Sequence, residues 1–193
     1  MKDVDGIKEI FTYGKVLGEG GFGKVWQGFD KNDPNVVVAI KEMKREKIDV
    51  KESRRIRMQN EFDVWYKADH ANIMKVFAMY QDKHAYYLVS EFMPNGSLQD
   101  YIDAGRNVRR GGITEVQVNK IALQTFMALK YMHTLNIAHR DMKPDNILMF
   151  SNDIENPSIK LTDFGFAIEF DPNAKIKDAL GTTGFIPPEM MNG

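Results

Sequence analysis

The run His139-Arg140-Asp141-Met142-Lys143-Pro144-Asp145-Asn146 sets an acid, a cation and an amide two and three residues apart. Asp141 can accept a proton from a hydroxyl. Lys143 can neutralise a phosphate oxygen, and Asn146 offers an oxygen to a hard cation. Such a set suits transfer of a phosphoryl group, where a protein mainly positions reactants and stabilises charge. A second acid, Asp163, lies twenty-two residues beyond Asp141 in Thr162-Asp163-Phe164-Gly165, and its carboxylate can ligate Mg2+. The bland alternative for the first run is a polar turn between a helix and a strand.

These side chains need elements to hold them. Residues 114–135 read as a long helix with Thr114 as its cap. Its apolar residues, among them Val116, Ile121, Phe126 and Met132, cover more than one stripe, so it wants neighbours on several sides. After the polar run, Ile147-Leu148-Met149-Phe150 is a short apolar stretch, 151–157 a polar insertion, and 158–161 a strand leading to Asp163. Before the long helix, 98–103 reads as a short helix and 106–112 as a turn rich in glycine and arginine.

In the first half, residues 11–17 read as a strand, and a second strand runs through Trp26 and Phe29. Between them, glycines 18, 20 and 23 fit the pattern G-x-G-x-x-G-x-V. Missing Cβ atoms let backbone amides approach phosphates closely. Residues suited to strands lie on both sides, which favours a hairpin over the strand-to-helix turn of a dinucleotide-binding fold. A plain glycine-rich hairpin turn fits the same residues. Asp33-Pro34-Asn35 marks a turn. The apolar run 36–40 then ends at Lys41, whose ammonium either sits in solvent at a strand end or binds phosphate.

Residues 44–57 are very basic, with Lys44, Arg45, Lys47, Lys51, Arg54, Arg55 and Arg57, and read as a solvated helix face. The helix over 53–68 places Met58, Phe62 and Trp65 at helical spacing. Glu61 on that helix has two candidate partners: Arg57 one turn back, as a surface pair, or Lys41 twenty residues earlier. Residues 73–80 and 85–89 read as strands joined by Gln81-Asp82-Lys83-His84.

Composition narrows the classes further. A chain of 193 residues suits one domain or two small lobes. A net charge of −1 supplies no global field for nucleic acid or anionic lipid, so neither is expected as a partner. The absence of cysteine excludes disulfides, thiolate metal sites and cysteine nucleophiles, and fits a reducing compartment. The apolar runs are too short to span a bilayer, and the N-terminus lacks the apolar core of a signal peptide.

Together the glycine pattern, Val38-Ala39-Ile40-Lys41, the run 139–146, Asp163-Phe164-Gly165 and the ending Pro187-Pro188-Glu189 resemble protein kinases, most of all the Ser/Thr kinases. The resemblance covers residues 11–189. It implies an α+β, two-lobed fold: an N-lobe over 11–90, a hinge over 91–97 and an incomplete C-lobe over 98–193. It implies ATP and Mg2+ as cofactors, a protein substrate presenting Ser or Thr, and a cytoplasmic location. Asp141 and Lys143 would be catalytic, and Asn146 and Asp163 would hold Mg2+. Leu17, Gly18, Gly20, Gly23, Val25, Ala39, Lys41, Glu61, Glu91, Met93 and Leu148 would bind the nucleotide, with Glu61 orienting Lys41. Ser90 would fall at the position limiting access to the rear of the pocket. Lys143 and Thr182 favour Ser/Thr over Tyr specificity, while Phe185 and Pro187 depart from the usual Gly181-to-Glu189 ending.

Two expectations concern regulation and extent. The segment 166–181 contains no Ser, Thr or Tyr, and Asp178 is expected to pair with Arg140 as a built-in acid in place of a phosphate. The alternatives are an exposed loop acid and phosphorylation at Thr183. The family's C-lobe continues past Glu189, so a further segment or a partner is expected to cover the 114–135 helix. Three functions compete: a Ser/Thr protein kinase, an ATP-binding but inactive interaction module, and a small-molecule kinase. The peptide-docking ending argues against the last.

Overall fold

The computed structural model describes residues 1–20, 23–107, 113–151, 153, 156–173 and 181–188. The chain forms two compact units, Met1–Tyr66 with Lys75–Phe92, and Lys67–Met74 with Met93–Gly193. The first is built on a sheet and the second mainly on helices, an α+β arrangement as expected.

The first unit begins with β1 (Lys2–Asp3), followed by a single 3-10 turn at Ile7–Glu9. Then come β2 (Phe11–Glu19), β3 (Gly23–Asp30), β4 (Val37–Lys44), α1 (Arg45–Ile48) and α2 (Glu52–Lys67), whose last residue groups with the second unit. β5 (Val76–Gln81) and β6 (Ala85–Glu91) complete the sheet, in the order β1-β5-β6-β4-β3-β2. All neighbours are antiparallel except β1, which lies parallel to β5. β4 and β6 occupy the middle and bury Val38, Ala39, Ile40, Leu88 and Val89, a continuous apolar character fitting strands covered on both faces. Ile7 and Phe11 close one face over Val38, Ile40 and Tyr87.

Two expectations change here. β4 does not stop before Lys41 but runs to Lys44, because the ladders to β3 and β6 continue through Lys41↔Val25, Lys41↔Leu88 and Lys44↔Ala85. The basic stretch 44–57 is not one helix face, since α1 forms its own turn before α2.

The second unit carries α3 (Leu98–Asn107), α4 (Glu115–Thr134), β7 (Ile137–Ala138), β8 (Ile147–Ser151), β9 (Ser158–Leu161) and β10 (Ile168–Glu169). α3 runs one turn past the expected helix end. Thr114 caps α4 in a reciprocal box with Gln117: its Oγ1 accepts from Gln117 N at 3.3 Å, and its N donates to Gln117 Oε1 at 2.9 Å. Asn136, at φ 55, ends the helix in the left-handed region that asparagine tolerates. α4 buries Ile121, Ala128 and Met132 while Val116, Leu123, Phe126 and Met127 are exposed, in keeping with apolar residues on several sides.

Gln124 of α4 ties β9 in place. Its Oε1 accepts from Ile159 N at 3.1 Å and from Asn72 Nδ2 at 2.9 Å, and its Nε2 donates to Pro157 O at 2.8 Å. Thus α4 fixes the strand that leads into Asp163. β8 and β9 pair antiparallel and carry Asn146 and Thr162 at adjoining ends.

Candidate active site

Asp141 is 3% exposed, and each oxygen of its carboxylate has two partners. Oδ1 accepts from Thr182 N at 2.9 Å and Thr182 Oγ1 at 2.7 Å. Oδ2 accepts from Asn146 Nδ2 at 3.0 Å and lies 3.2 Å from Lys143 Nζ. Burial pushes this carboxyl up, but the bonds from Thr182, Lys143 and Asn146 and the Lys143 charge outweigh it and hold it below the ordinary carboxylate range. Asp141 is therefore an ionised acceptor.

The backbone places it. Pro144–Asn146 forms a single 3-10 turn with proline at its start, so the chain doubles back and Asn146 Nδ2 also reaches Asp141 O at 2.7 Å. Asn146 thus donates through its nitrogen, leaving Oδ1 as the atom of that side chain suited to a cation. Lys143 Nζ in turn donates to Thr182 Oγ1 at 2.8 Å. In the sequence Thr182 is only a sign of Ser/Thr specificity. Its contacts with Asp141 join residues forty-one apart, and local patterns carry no signal of that closure.

His139 backs Asp141 from within the fold. His139 is 2% exposed, donates from Nε2 to Thr162 O at 3.0 Å, and accepts at Nδ1 from Asp141 N at 3.3 Å. Burial pushes the imidazole below its ordinary value, against the opposing pull of Thr162 O, Asp163 and Asp141. A neutral ring with its proton on Nε2 satisfies both bonds. Its ring lies 5.0 Å from that of Phe164, which is fully buried. Thr162 N donates to Asn146 O at 3.0 Å, so Asp163 begins one residue from a direct bond to the Asn146 backbone. Asp163 and Arg140 hold positive φ, 59 and 65, conformations that cost non-glycine residues energy and recur at functional sites. Arg140 Nε donates to Phe166 O at 2.7 Å. Asp178 and Glu189 lie outside the described residues, as do 108–112 of the expected turn.

The other expected site residues lie mainly in the first unit. Lys41 Nζ donates to Glu61 Oε1 at 2.9 Å, so Glu61 takes Lys41 as a partner across twenty residues. The Glu61 side chain is 10% exposed and that of Lys41 is 29% exposed, which makes the pair a partly buried one. Val25 on β3 stands opposite Lys41, and Ala39 stands opposite buried Ser90 on β6. Leu17 and Gly18 lie on β2, with Gly18 opposite Val25. Gly20 and Gly23 bond each other, N to O at 2.8 and 3.3 Å, closing the expected hairpin. A Cβ on Gly23 would sit 1.8 Å from Glu42 O, so β3 approaches β4 there as only glycine permits. Glu91 ends β6. In the second unit, Met93 is buried and Leu148 is half-buried on β8.

Comparison with known proteins follows the same outline. The family model described as protein kinase domain matches residues 11–193. Calcium-dependent protein kinase 4 of Plasmodium berghei is 35% identical over 179 residues, covering 93% of this chain and 33% of the relative. Calcium/calmodulin-dependent protein kinase type 1 of Caenorhabditis elegans is 32% identical over 185 residues, 96% of this chain and 50% of the relative. Serine/threonine-protein kinase AtPK2/AtPK19 of Arabidopsis thaliana is 34% identical over 194 residues, 100% of this chain and 39% of the relative. The chain therefore spans about a third to a half of the length of these relatives. Among the described residues, no helix is long and apolar enough to cross a membrane. With the family model matched over nearly its whole length, the chain belongs to the protein kinase domain family.

Proposed function

We propose that this chain transfers the γ-phosphoryl group of ATP to a Ser or Thr hydroxyl of a protein. The observation that carries the reading is the convergence of Lys143, Asn146 and Thr182 on the Asp141 carboxylate. The relatives named for Ser/Thr or calcium-dependent protein kinase activity support it.

In this reading Lys41, oriented by Glu61, holds the α- and β-phosphates, while the backbone at Gly18, Gly20 and Gly23 covers them. Leu17, Val25, Ala39 and Leu148 supply apolar surface to the adenine, and the backbone at Glu91 and Met93 its polar edge. The donor set fits Mg2+, since the Asp163 carboxylate and Asn146 Oδ1 are hard oxygens and Mg2+ commonly takes one or two protein ligands beside phosphate. When bound, Mg2+ would neutralise phosphate charge.

As Lys143 Nζ turns from Asp141 Oδ2 to the moving phosphoryl group, the attacking hydroxyl donates to that oxygen in its place, and its lone pair is aimed at phosphorus. The new P–O bond forms as the bond to the β-phosphate oxygen breaks, and the hydroxyl proton passes to Asp141. A carboxyl held below its ordinary range is a weak base, so Asp141 acts mainly by orientation, in keeping with a loose transition state. Lys143 stabilises the charge on the moving group.

The test is transfer of labelled γ-phosphate from Mg·ATP to a generic protein acceptor, wild type against Asp141→Asn. Label on Ser or Thr that falls by at least about a hundredfold in the variant is the expected result. Nucleotide binding without any transfer by wild type would instead make the chain an inactive binding module.

A further inference from the structure

Ten residues precede the stretch that matches the family model, yet they belong to the first unit, and Lys2 and Asp3 add a strand to its sheet. β1 pairs with Tyr80 and Gln81 of β5, Val4 N donates to Gln81 O at 3.0 Å, and Ile7 is 2% exposed. Asp3 Oδ1 accepts from Gln81 Nε2 at 2.7 Å, which turns Gln81 Oε1 toward Arg45 Nη2 at 2.9 Å.

Arg45 uses all three guanidinium nitrogens. Besides Gln81, it donates from Nε to Asp82 O at 2.7 Å, and from Nη1 to Tyr86 OH at 2.9 Å and Asp49 Oδ2 at 3.3 Å. Its guanidinium lies 4.4 Å from the centre of the Tyr86 ring, and Tyr86 OH donates to Asp49 Oδ1 at 2.9 Å. Its own N donates to His84 O at 3.0 Å. Arg45 opens α1 and Asp49 caps its end, so both ends of that helix are fastened to the β5–β6 hairpin.

The fastening has a consequence for α2. A helix of four residues does not hold itself, because nucleation costs more than one turn returns. The side chains from Glu52 to Ile56, at the start of α2, are all exposed, and burial begins at Met58. Arg54 Nη1 reaches back to Lys47 O of α1 at 2.7 Å. The entry of α2 is thus located by α1, and α1 by Arg45. Glu61 sits about two and a half turns into α2. On the other side, Lys41 lies four residues before Arg45 on β4. One guanidinium stands at the junction of the two elements that carry the ion pair.

We propose that Arg45 is a positioning residue for the Lys41–Glu61 pair, with the N-terminal strand bracing it through Gln81. This rests on the reading that Lys41 holds nucleotide phosphates. Calorimetric affinity for Mg·ADP, measured on wild type, Arg45→Ala, Glu61→Gln and the double variant, tests it. Arg45→Ala is expected to bind about tenfold more weakly, and Arg45→Lys, which keeps the charge without the fork, to recover little. In the Glu61→Gln background the same change is expected to cost less than about twofold, because the clamp acts through that pair. Wild-type affinity in Arg45→Ala, or an equal loss in both backgrounds, overturns the proposal. Should Arg45→Ala fail to fold, Tyr86→Phe removes only the hydroxyl shared with Asp49 and enters the same cycle, with about a threefold loss expected; no loss there overturns it equally. Lys41→Met separates the two readings. If it binds Mg·ADP like wild type, the nucleotide reading falls and this proposal with it. If it binds weakly while Arg45→Ala is normal, only this proposal falls.

Discussion

Thr182 donates twice to one oxygen of Asp141, through its backbone N at 2.9 Å and its hydroxyl at 2.7 Å. The hydroxyl also accepts from Lys143 Nζ at 2.8 Å. A single threonine thus bridges the acid and the ammonium, which also meet directly at Oδ2 at 3.2 Å, and occupies both lone pairs of Oδ1. A hydrogen bond to a charged group contributes about 1.5–3 kcal/mol. Thr182→Val keeps the backbone donor and loses the hydroxyl. Its kcat for a protein substrate is expected to fall by about ten- to a hundredfold, with Thr182→Ser recovering most of it. Equal kcat in the valine variant would remove Thr182 from the site.

The neutral state of His139 makes stability depend on pH. Its pKa is below the ordinary value of 6.5 in the folded chain, so below that pH the unfolded chain binds a proton that the folded one refuses. Stability is fully present above 6.5 and declines as pH falls toward the folded value. Asp141 adds a second decline below its ordinary 3.8, again because its folded value is lower. Melting temperature against pH should therefore drop in two stages on acidification. In His139→Phe the first stage should be smaller, even though that variant starts lower.

The glycines of the hairpin divide by what surrounds them. A Cβ on Gly23 would meet Glu42 O at 1.8 Å, whereas Gly18 and Gly20 have nothing within 4 Å of theirs. Gly23→Ala must push β3 off β4 and is expected to lower stability by about 1–3 kcal/mol. Gly18→Ala and Gly20→Ala should unfold as wild type does in denaturant. Their effect, if these residues cover phosphates, appears only as weaker binding of Mg·ADP.

Thr114→Ala isolates a purely structural contribution. The capping box with Gln117 is lost, at about 1 kcal/mol. Chemical denaturation should report that loss while kcat and KM stay within about twofold of wild type. A larger effect on kcat would mean that the start of α4 is coupled to Asp141.

Local chemistry made much of this legible. The Thr114 cap, β9 at residues 158–161 and the β2–β3 hairpin follow from side-chain type, period and glycine placement. The end of β4 was not, because Lys41 and Glu42 are polar and only the two flanking ladders keep them in a strand. α1 was hidden inside a basic run, since its hold comes from Arg45 contacts to Gln81, Asp82 and Tyr86, thirty-six to forty-one residues away. β1 gives no sequence signal at two residues long; it exists because β5 offers an edge. Among the site residues, the Lys41–Glu61 pair needed the family pattern to choose it over Arg57. The closure of Thr182 on Asp141 joins residues forty-one apart, and no local pattern encodes it.

The most direct measurement separates nucleotide binding from transfer in one variant. Asp141→Asn removes the acceptor charge and leaves the Lys41–Glu61 pair untouched. Affinity for Mg·ADP and single-turnover transfer of labelled γ-phosphate to a protein acceptor should be read on the same preparation. The role of Asp141 as acceptor predicts affinity within about twofold of wild type and transfer at least about a hundredfold slower. Transfer at the wild-type rate by Asp141→Asn would contradict it.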